Sequence, residues 1–227
     1  MTLLTRDALP DSIDGVAARY ELMSGPSGAL VDEMAALDGD ILILGVAGKM
    51  GPTVARLAKR AAPGKRVIGV ARFSERGSRE GLEAEGVETI ACDLLDERAL
   101  AALPQARNVV FMAGRKFGAG GDPPLTRAMN AHLPAPVAQA FARSRIVAFS
   151  TGCVYPFVPV EGRGADETTP PDPPGEYAQS CVGRERMFEY FSARLGTPGR
   201  LFRLNYAIDL RYGVLHDIAR KIAARQP

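Results

Sequence analysis

The residues best placed to do chemistry are three glycines, Gly45, Gly48 and Gly51, which follow the apolar run Ile41-Leu42-Ile43-Leu44 and precede a helical pattern. A strand that breaks into a glycine turn and feeds a helix is a phosphate cradle. Glycine lets the backbone approach a pyrophosphate, and the helix N-terminus offers free N–H groups and a positive dipole end. The implied ligand is a dinucleotide, NAD or NADP. The spacing is G-x-x-G-x-x-G rather than G-x-G-x-x-G, and an ordinary tight turn is the competing explanation. A P-loop fits poorly, because Met50 stands where Ser or Thr would hold magnesium.

Further candidates sit at the ends of later apolar runs. The second run ends Val70-Ala71-Arg72. An NAD site places Asp or Glu there, on the adenosine ribose hydroxyls. A guanidinium pairs a 2′-phosphate bidentately and stacks on adenine, so Arg72 favours NADP over NAD; a solvated surface arginine is the plain alternative. After the third run, Asp93 could accept from the adenine amino group, or Asp93 or Asp96 could cap the next helix. Met112-Ala113-Gly114 offers small residues where the backbone must pass close to a cofactor.

Positioning these residues takes an alternating architecture. Strands are expected at 41–44, 66–71, 87–92, 108–113, 145–150 and 201–205. Helices are expected at about 50–62, 78–85, 97–103, 124–142 (disturbed by Pro134 and Pro136), 176–195 and 213–225. Such alternation implies an α/β doubly wound parallel sheet, a Rossmann fold of strand order 3-2-1-4-5-6, with ligand at the switch point. Residues 1–39 read as a short N-terminal helical extension and 40–227 as the NAD(P)-binding domain. A proline-rich loop from Pro156 to Gly175 is long enough to suggest function.

Composition narrows the classes. A net charge of +2 without a basic block leaves no footprint for nucleic acid. No apolar run approaches the roughly 18 residues of a membrane helix, and Met1–Pro10 lacks the core of a secretion signal. Cys92, Cys153 and Cys181 show no metal spacing, so no metal is expected; so sparse a set points to a reducing cytoplasm.

Two later segments complete a pattern. The fifth strand ends Ser150-Thr151-Gly152-Cys153-Val154-Tyr155, and after the proline loop comes Tyr177-Ala178-Gln179-Ser180-Cys181. With the glycine motif, Asn130 and Arg203-Leu204-Asn205-Tyr206, the chain resembles the NAD-dependent epimerase/dehydratase family, the extended short-chain dehydrogenase/reductases, over roughly residues 40–225. The resemblance implies that Gly45, Gly48, Lys49, Met50 and Gly51 hold the pyrophosphate. It places Asp93 and Leu94 at the adenine, and Ala113 and Gly114 along the nicotinamide ribose. Thr151 would orient a substrate oxygen and Tyr177 would be the acid/base beside the hydride transfer. It also implies a homodimer through the two long helices, with a sugar nucleotide as default substrate.

Two departures follow. The family lysine four residues after the tyrosine is Cys181 here. Without a cation, a phenol of pKa near 10 costs roughly 4 kcal/mol to ionise at neutral pH. Tyr177 could still donate as a neutral acid, which suits carbonyl reduction. Lys49, Arg115 with Lys116, and Arg184 could supply a charge, but Arg184 lies about 10 Å along the helix axis from Tyr177 and the spacing favours none of them. The family's substrate subdomain is also expected to be reduced or missing. The alternatives are a cofactor-binding protein with little turnover, and a dihydrodipicolinate-reductase-like enzyme, whose glycine loop looks similar but against which Ser150–Tyr155 and Tyr177 argue.

Overall fold

The computed structural model describes residues 3–5, 9–116, 121–205 and 213–226. Six strands, β1 (Ile41–Leu44), β2 (Val67–Ala71), β3 (Glu88–Ala91), β4 (Asn108–Phe111), β5 (Arg145–Thr151) and β6 (Gly199–Leu204), form one sheet in the order β3-β2-β1-β4-β5-β6. Every pairing is parallel, and Ile41 registers with Val67 on one side and Asn108 on the other. The chain winds one way from β1 to β3 and the other way from β4 to β6. The crevice at the carboxyl ends of β1 and β4 is therefore the switch point where α/β folds bind ligands.

The central strands β1, β2 and β4 are buried on both faces, as parallel strands under helices are, while Val147 of β5 and Phe202 of β6 are exposed. Leu42 and Leu44 point into one core with Val109, Phe111, Ile146 and Phe188. Their neighbours Ile41 and Ile43 point into the other, with Val67, Ala55 and Leu82. The helices that cover these faces are α3 (Gly51–Ala61), α4 (Ser78–Glu83), α5 (Glu97–Ala101), α6 (Pro123–Arg127), α7 (Pro134–Ala140) and α8 (Glu176–Leu195). A last helix, α9 (Val214–Ala223), leaves its apolar side chains Val214, Leu215, Ile218 and Ile222 exposed. Asp96 caps α5, accepting from the Arg98 and Ala99 amides at 2.9 and 3.1 Å, while Asp93 accepts from the Leu95 amide at 3.1 Å.

Ahead of the sheet, α1 (Gly15–Ser24) and α2 (Gly28–Ala36) pack against α3. Glu21 accepts two bonds from Arg60, at 2.9 and 2.6 Å, and the Arg56 guanidinium lies 4.8 Å from the Tyr20 ring centroid. Met34 and Leu37 extend the α3-side core.

The helical region expected over 124–142 divides into three. Between α6 and α7 the chain widens into a π-helical turn, Ala128–His132, in which Leu133 bonds back five residues to the Ala128 carbonyl at 2.9 Å. Pro134 has no N–H for the Asn130 carbonyl and its ring crowds that turn, so the helix expands. No helix among the described residues is long and apolar enough to cross a membrane.

Candidate active site

A cleft of about 810 Å³ opens at the carboxyl ends of β1 to β4. Gly45, Gly48 and Lys49 line it from the β1 turn, Arg72 from β2, Asp93 and Leu94 from β3, and Ala113 and Gly114 from β4. Sequence residues scattered over 70 positions thus share one wall-to-wall site. A second, apolar hollow of about 250 Å³ lies between α7, α8 and the starts of β5 and β6, at the opposite end of the sheet from these groups.

The three glycines serve different ends. Gly45 has φ +91°, and a Cβ there would stand 2.6 Å from the Ala113 amide, so it lets β1 and β4 meet. Gly51 is buried under the turn, where a Cβ would overlap the Val46 carbonyl. Met50 occupies the cap position of α3, and Pro52 is in its first turn, where a missing N–H costs nothing. Gly48 is the least constrained of the three: its Cβ would make a tight contact, 3.3 Å from the Gly45 carbonyl, rather than an overlap, and its φ is not positive.

The Arg72 end of the cleft is basic. Among the described residues neither Arg72 nor Arg76 makes an ion pair, and both line the cleft with Phe73, whose φ is +50°. Tyr20, from α1, also reaches this wall. Nothing in the sequence marked it, because its place depends on how the N-terminal helices pack on α3.

Thr151 and Tyr177 do not line that cleft; they meet past its Gly114 end. Thr151 closes β5, its hydroxyl accepting from the Cys153 amide at 3.2 Å in a 3-10 turn over Gly152–Val154. Tyr177 enters on the first turn of α8. Its phenol faces the Thr151 hydroxyl and the Cys181 thiol. Burial pushes the phenol above the usual tyrosine range, the thiol adds to this, and Arg184 and Thr151 pull the other way. Burial likewise pushes the Cys181 thiol up, against the pull of Arg184. A phenol so placed is protonated at neutral pH and can donate.

Tyr177, Cys181 and Arg184 share one face of α8. Arg184 is only 6% exposed. Its Nη1 donates to the Phe149 carbonyl at 2.7 Å and its Nη2 to Asn130 Oδ1 at 2.9 Å, and it lies 5.4 Å from the Phe111 ring centroid. Gly114 leaves it room: a Cβ there would overlap Nη2. Asn130, in the π-turn, also accepts from the Arg115 amide at 2.8 Å and donates to the Arg115 carbonyl and to Ser180 Oγ, both at 2.9 Å. Spacing along the helix axis set Arg184 apart from Tyr177; the length of its side chain brings the guanidinium under Gly114. Lys116 approaches from solvent, its Nζ 5.8 Å from the Tyr177 ring centroid.

The next residue, Glu185, is 1% exposed and faces β6. It accepts from Ser150 and from Arg203, whose Nη2 is 2.8 Å away, and Arg203 Nη1 donates to the Tyr155 hydroxyl at 3.0 Å. These bonds join the two sequence motifs, 150–155 and 203–205, and hold the Thr151 turn against α8. Asn205 packs beside Gly152, where a Cβ would come within 3.0 Å of its Oδ1; Tyr206 lies outside the described residues.

The family model described as the NAD dependent epimerase/dehydratase family matches residues 41–208. The chain belongs to this family of Rossmann-fold proteins. Solved structures agree on the fold. UDP-glucuronic acid 4-epimerase from Bacillus cereus, in complex with NAD, is 20% identical at a TM-score of 0.65, over 83% of this chain and 65% of that one. The dTDP-glucose 4,6-dehydratase from Streptomyces venezuelae, with NAD bound, is 20% identical at 0.68, over 82% and 62%. UDP-glucose 4-epimerase from Thermotoga maritima, with UDP-glucose, is 19% identical at 0.68, over 82% and 64%. The chain thus spans a little under two thirds of the length of these structures. No curated protein sequence matches it.

Proposed function

We propose that this protein is an NAD(P)-dependent oxidoreductase of the epimerase/dehydratase type, acting on a carbonyl or hydroxyl carbon of a small molecule, with a sugar nucleotide as the substrate class. Gly48 carries the reading of the cleft. The fold presses on that position far less than on Gly45 or Gly51, whereas a pyrophosphate lying on the turn would require glycine. Gly45, Gly48, Lys49, Met50 and Gly51 form the phosphate turn and α3 start, Asp93 and Leu94 the adenine wall, and Ala113 and Gly114 the path to the nicotinamide. The dinucleotide supplies hydride transfer when bound. Thr151 orients the substrate oxygen, and Tyr177, protonated at neutral pH, donates to it as the carbonyl is reduced.

NADP is the favoured form over NAD. Ala71 holds the strand-end place of a ribose-binding carboxylate and Arg72 follows it, and Arg76 and the Arg56–Tyr20 pair add cation and aromatic surface at the same end. The sugar-nucleotide class and dinucleotide use come from the UDP-sugar and NAD complexes of the structural relatives. A cytoplasmic homodimer pairing through α8 completes the proposal, with residues 1–39 as an extension that walls the adenosine end. A second reading, a dinucleotide-binding protein with little turnover, is favoured by one observation: Cys181 brings no charge to Tyr177 and helps push its phenol up.

Calorimetry with NADPH and NADH tests the cleft. Gly48→Val should abolish measurable binding while the melting temperature stays near wild type. Unchanged affinity overturns the assignment. Turnover of NADPH with a panel of UDP- and dTDP-linked keto sugars then separates the enzyme from the binding protein.

A further inference from the structure

A guanidinium buried beneath the reaction centre is hydrogen-bonded to no anion. The hydrogen bonds of Arg184 go to two neutral oxygens, the Phe149 carbonyl and Asn130 Oδ1. Among the described residues it makes no ion pair, and its Nε is buried without a partner. The adjacent carboxylate, Glu185, is taken by Arg203 on the other side of α8. Taking a cation out of water without a counter-charge costs several kcal/mol. A fold keeps such a group where something else uses its field.

We propose that Arg184 is an electrostatic positioning residue, whose buried guanidinium stabilises the negative charge that develops on the Tyr177 oxygen when the phenol gives up its proton. This rests on Tyr177 being the proton-transfer group of the proposed function. In the reducing direction, the Tyr177 proton passes to the substrate oxygen as hydride reaches the carbonyl carbon, leaving an alcohol and a phenolate that water reprotonates. Charge thus appears on Tyr177 for part of each turnover, in a site where burial resists it. Arg184 faces that charge from the same helix face, with Cys181 and Ser180 on the intervening turn.

Low dielectric makes this field strong, and the geometry holds it still. Asn130 fixes Nη2, the Phe149 carbonyl at the end of β5 fixes Nη1, and Gly114 and Phe111 close over the rest. The same Asn130 ties the Arg115 backbone at the mouth of the cleft, so the π-turn couples the position of the cation to the cofactor side. The neighbours of Tyr177 nearest to it bring no positive charge. Cys181 and Cys153 are thiols, Thr151 is neutral, and Glu185 is neutralised by Arg203. Lys116 is an exposed cation over the ring, screened by water.

The test reads Tyr177 directly and needs neither cofactor nor turnover. A fluorinated tyrosine at position 177, more acidic than phenol, brings its ionisation into an accessible pH range, and fluorine NMR follows it. Arg184→Gln keeps a donor toward Phe149 and Asn130 but removes the charge; Arg184→Met removes both. Each neutral variant should raise the Tyr177 titration by about one unit or more, and Arg184→Lys should restore at least half of that. Lys116→Met should move it far less.

No movement in a folded neutral variant overturns the proposal. A larger movement in Lys116→Met reassigns the cation and also overturns it. Loss of fold in both neutral variants gives Arg184 a structural role and overturns it as well. The shift is expected whether or not a substrate is found, so an inactive protein with the shift refutes the enzymatic reading alone. An active protein without it refutes Arg184 alone.

Discussion

Two buried charges sit side by side on α8 and live by opposite rules. Glu185 is enclosed by Arg203, Ser150 and, through Arg203, Tyr155. Its charge is compensated and its bonds tie α8 to β5 and β6. Arg184, one residue earlier, turns to the other side of the helix and meets only neutral acceptors. Burying a paired ion fixes structure; burying an unpaired one leaves a field directed at whatever lies beside it, here Tyr177 and Cys181. The arrangement of partners, more than the depth of burial, separates a structural charge from a working one.

The largest effect is expected where the compensated pair is broken. Glu185→Ala strands Arg203 and frees the Thr151 turn, and should cost about 3–5 kcal/mol in denaturant unfolding. A loss under about 1 kcal/mol would put Glu185 among surface charges instead.

Next comes a second cation on the Arg184 side. Cys181 is 1% exposed, so Cys181→Lys must overfill its site, at about 1–3 kcal/mol, and must face Arg184 with a like charge. A lower melting temperature and no gain in NADPH turnover are expected. A stable, more active variant would show that the charge near Tyr177 was not already supplied.

A third effect is pH-dependent. The folded phenol of Tyr177 is pushed up, so above pH about 10 the unfolded chain loses that proton first. Stability from this group is therefore complete below that pH and falls as pH rises, by at most about 1.4 kcal/mol per unit. Tyr177→Phe should flatten the slope of unfolding free energy from about pH 10, the ordinary tyrosine value, upward. Parallel slopes for the two proteins would place the phenol in water.

The smallest effect should be the stability change in Arg184→Met. It gives up two hydrogen bonds but relieves an uncompensated charge, so unfolding free energy should stay within about 1 kcal/mol of wild type. A loss as large as that of Glu185→Ala would erase the contrast between the two residues.

Much of this molecule is written locally. Apolar runs such as Ile41–Leu44 and Val67–Ala71, each followed by a helical pattern, dictate parallel strands with helices between them. The order β3-β2-β1-β4-β5-β6 follows from handed, short connections. The glycine turn, Arg72, Asp93 and Gly114 fall at strand ends, and every parallel strand end opens on the same edge, so their convergence in one cleft was legible in the sequence. The caps were less so: Asp93 and Asp96 both read as possible caps, and the backbone gives the α5 cap to Asp96.

What only tertiary structure decided concerns side chains that cross between elements. Position along α8 ranked Arg184 as distant from Tyr177, because spacing measures Cα rise and not the reach of a long side chain into a space opened by Gly114. The same holds for Glu185 with Arg203, residues 18 apart joined across the sheet edge, and for Tyr20, carried to the cleft by α1. Periodicity tells which face a residue occupies. Whether a charge on that face finds a counter-charge, a carbonyl or nothing depends on the residues packed against it from other strands and helices, and that is settled only when the chain folds.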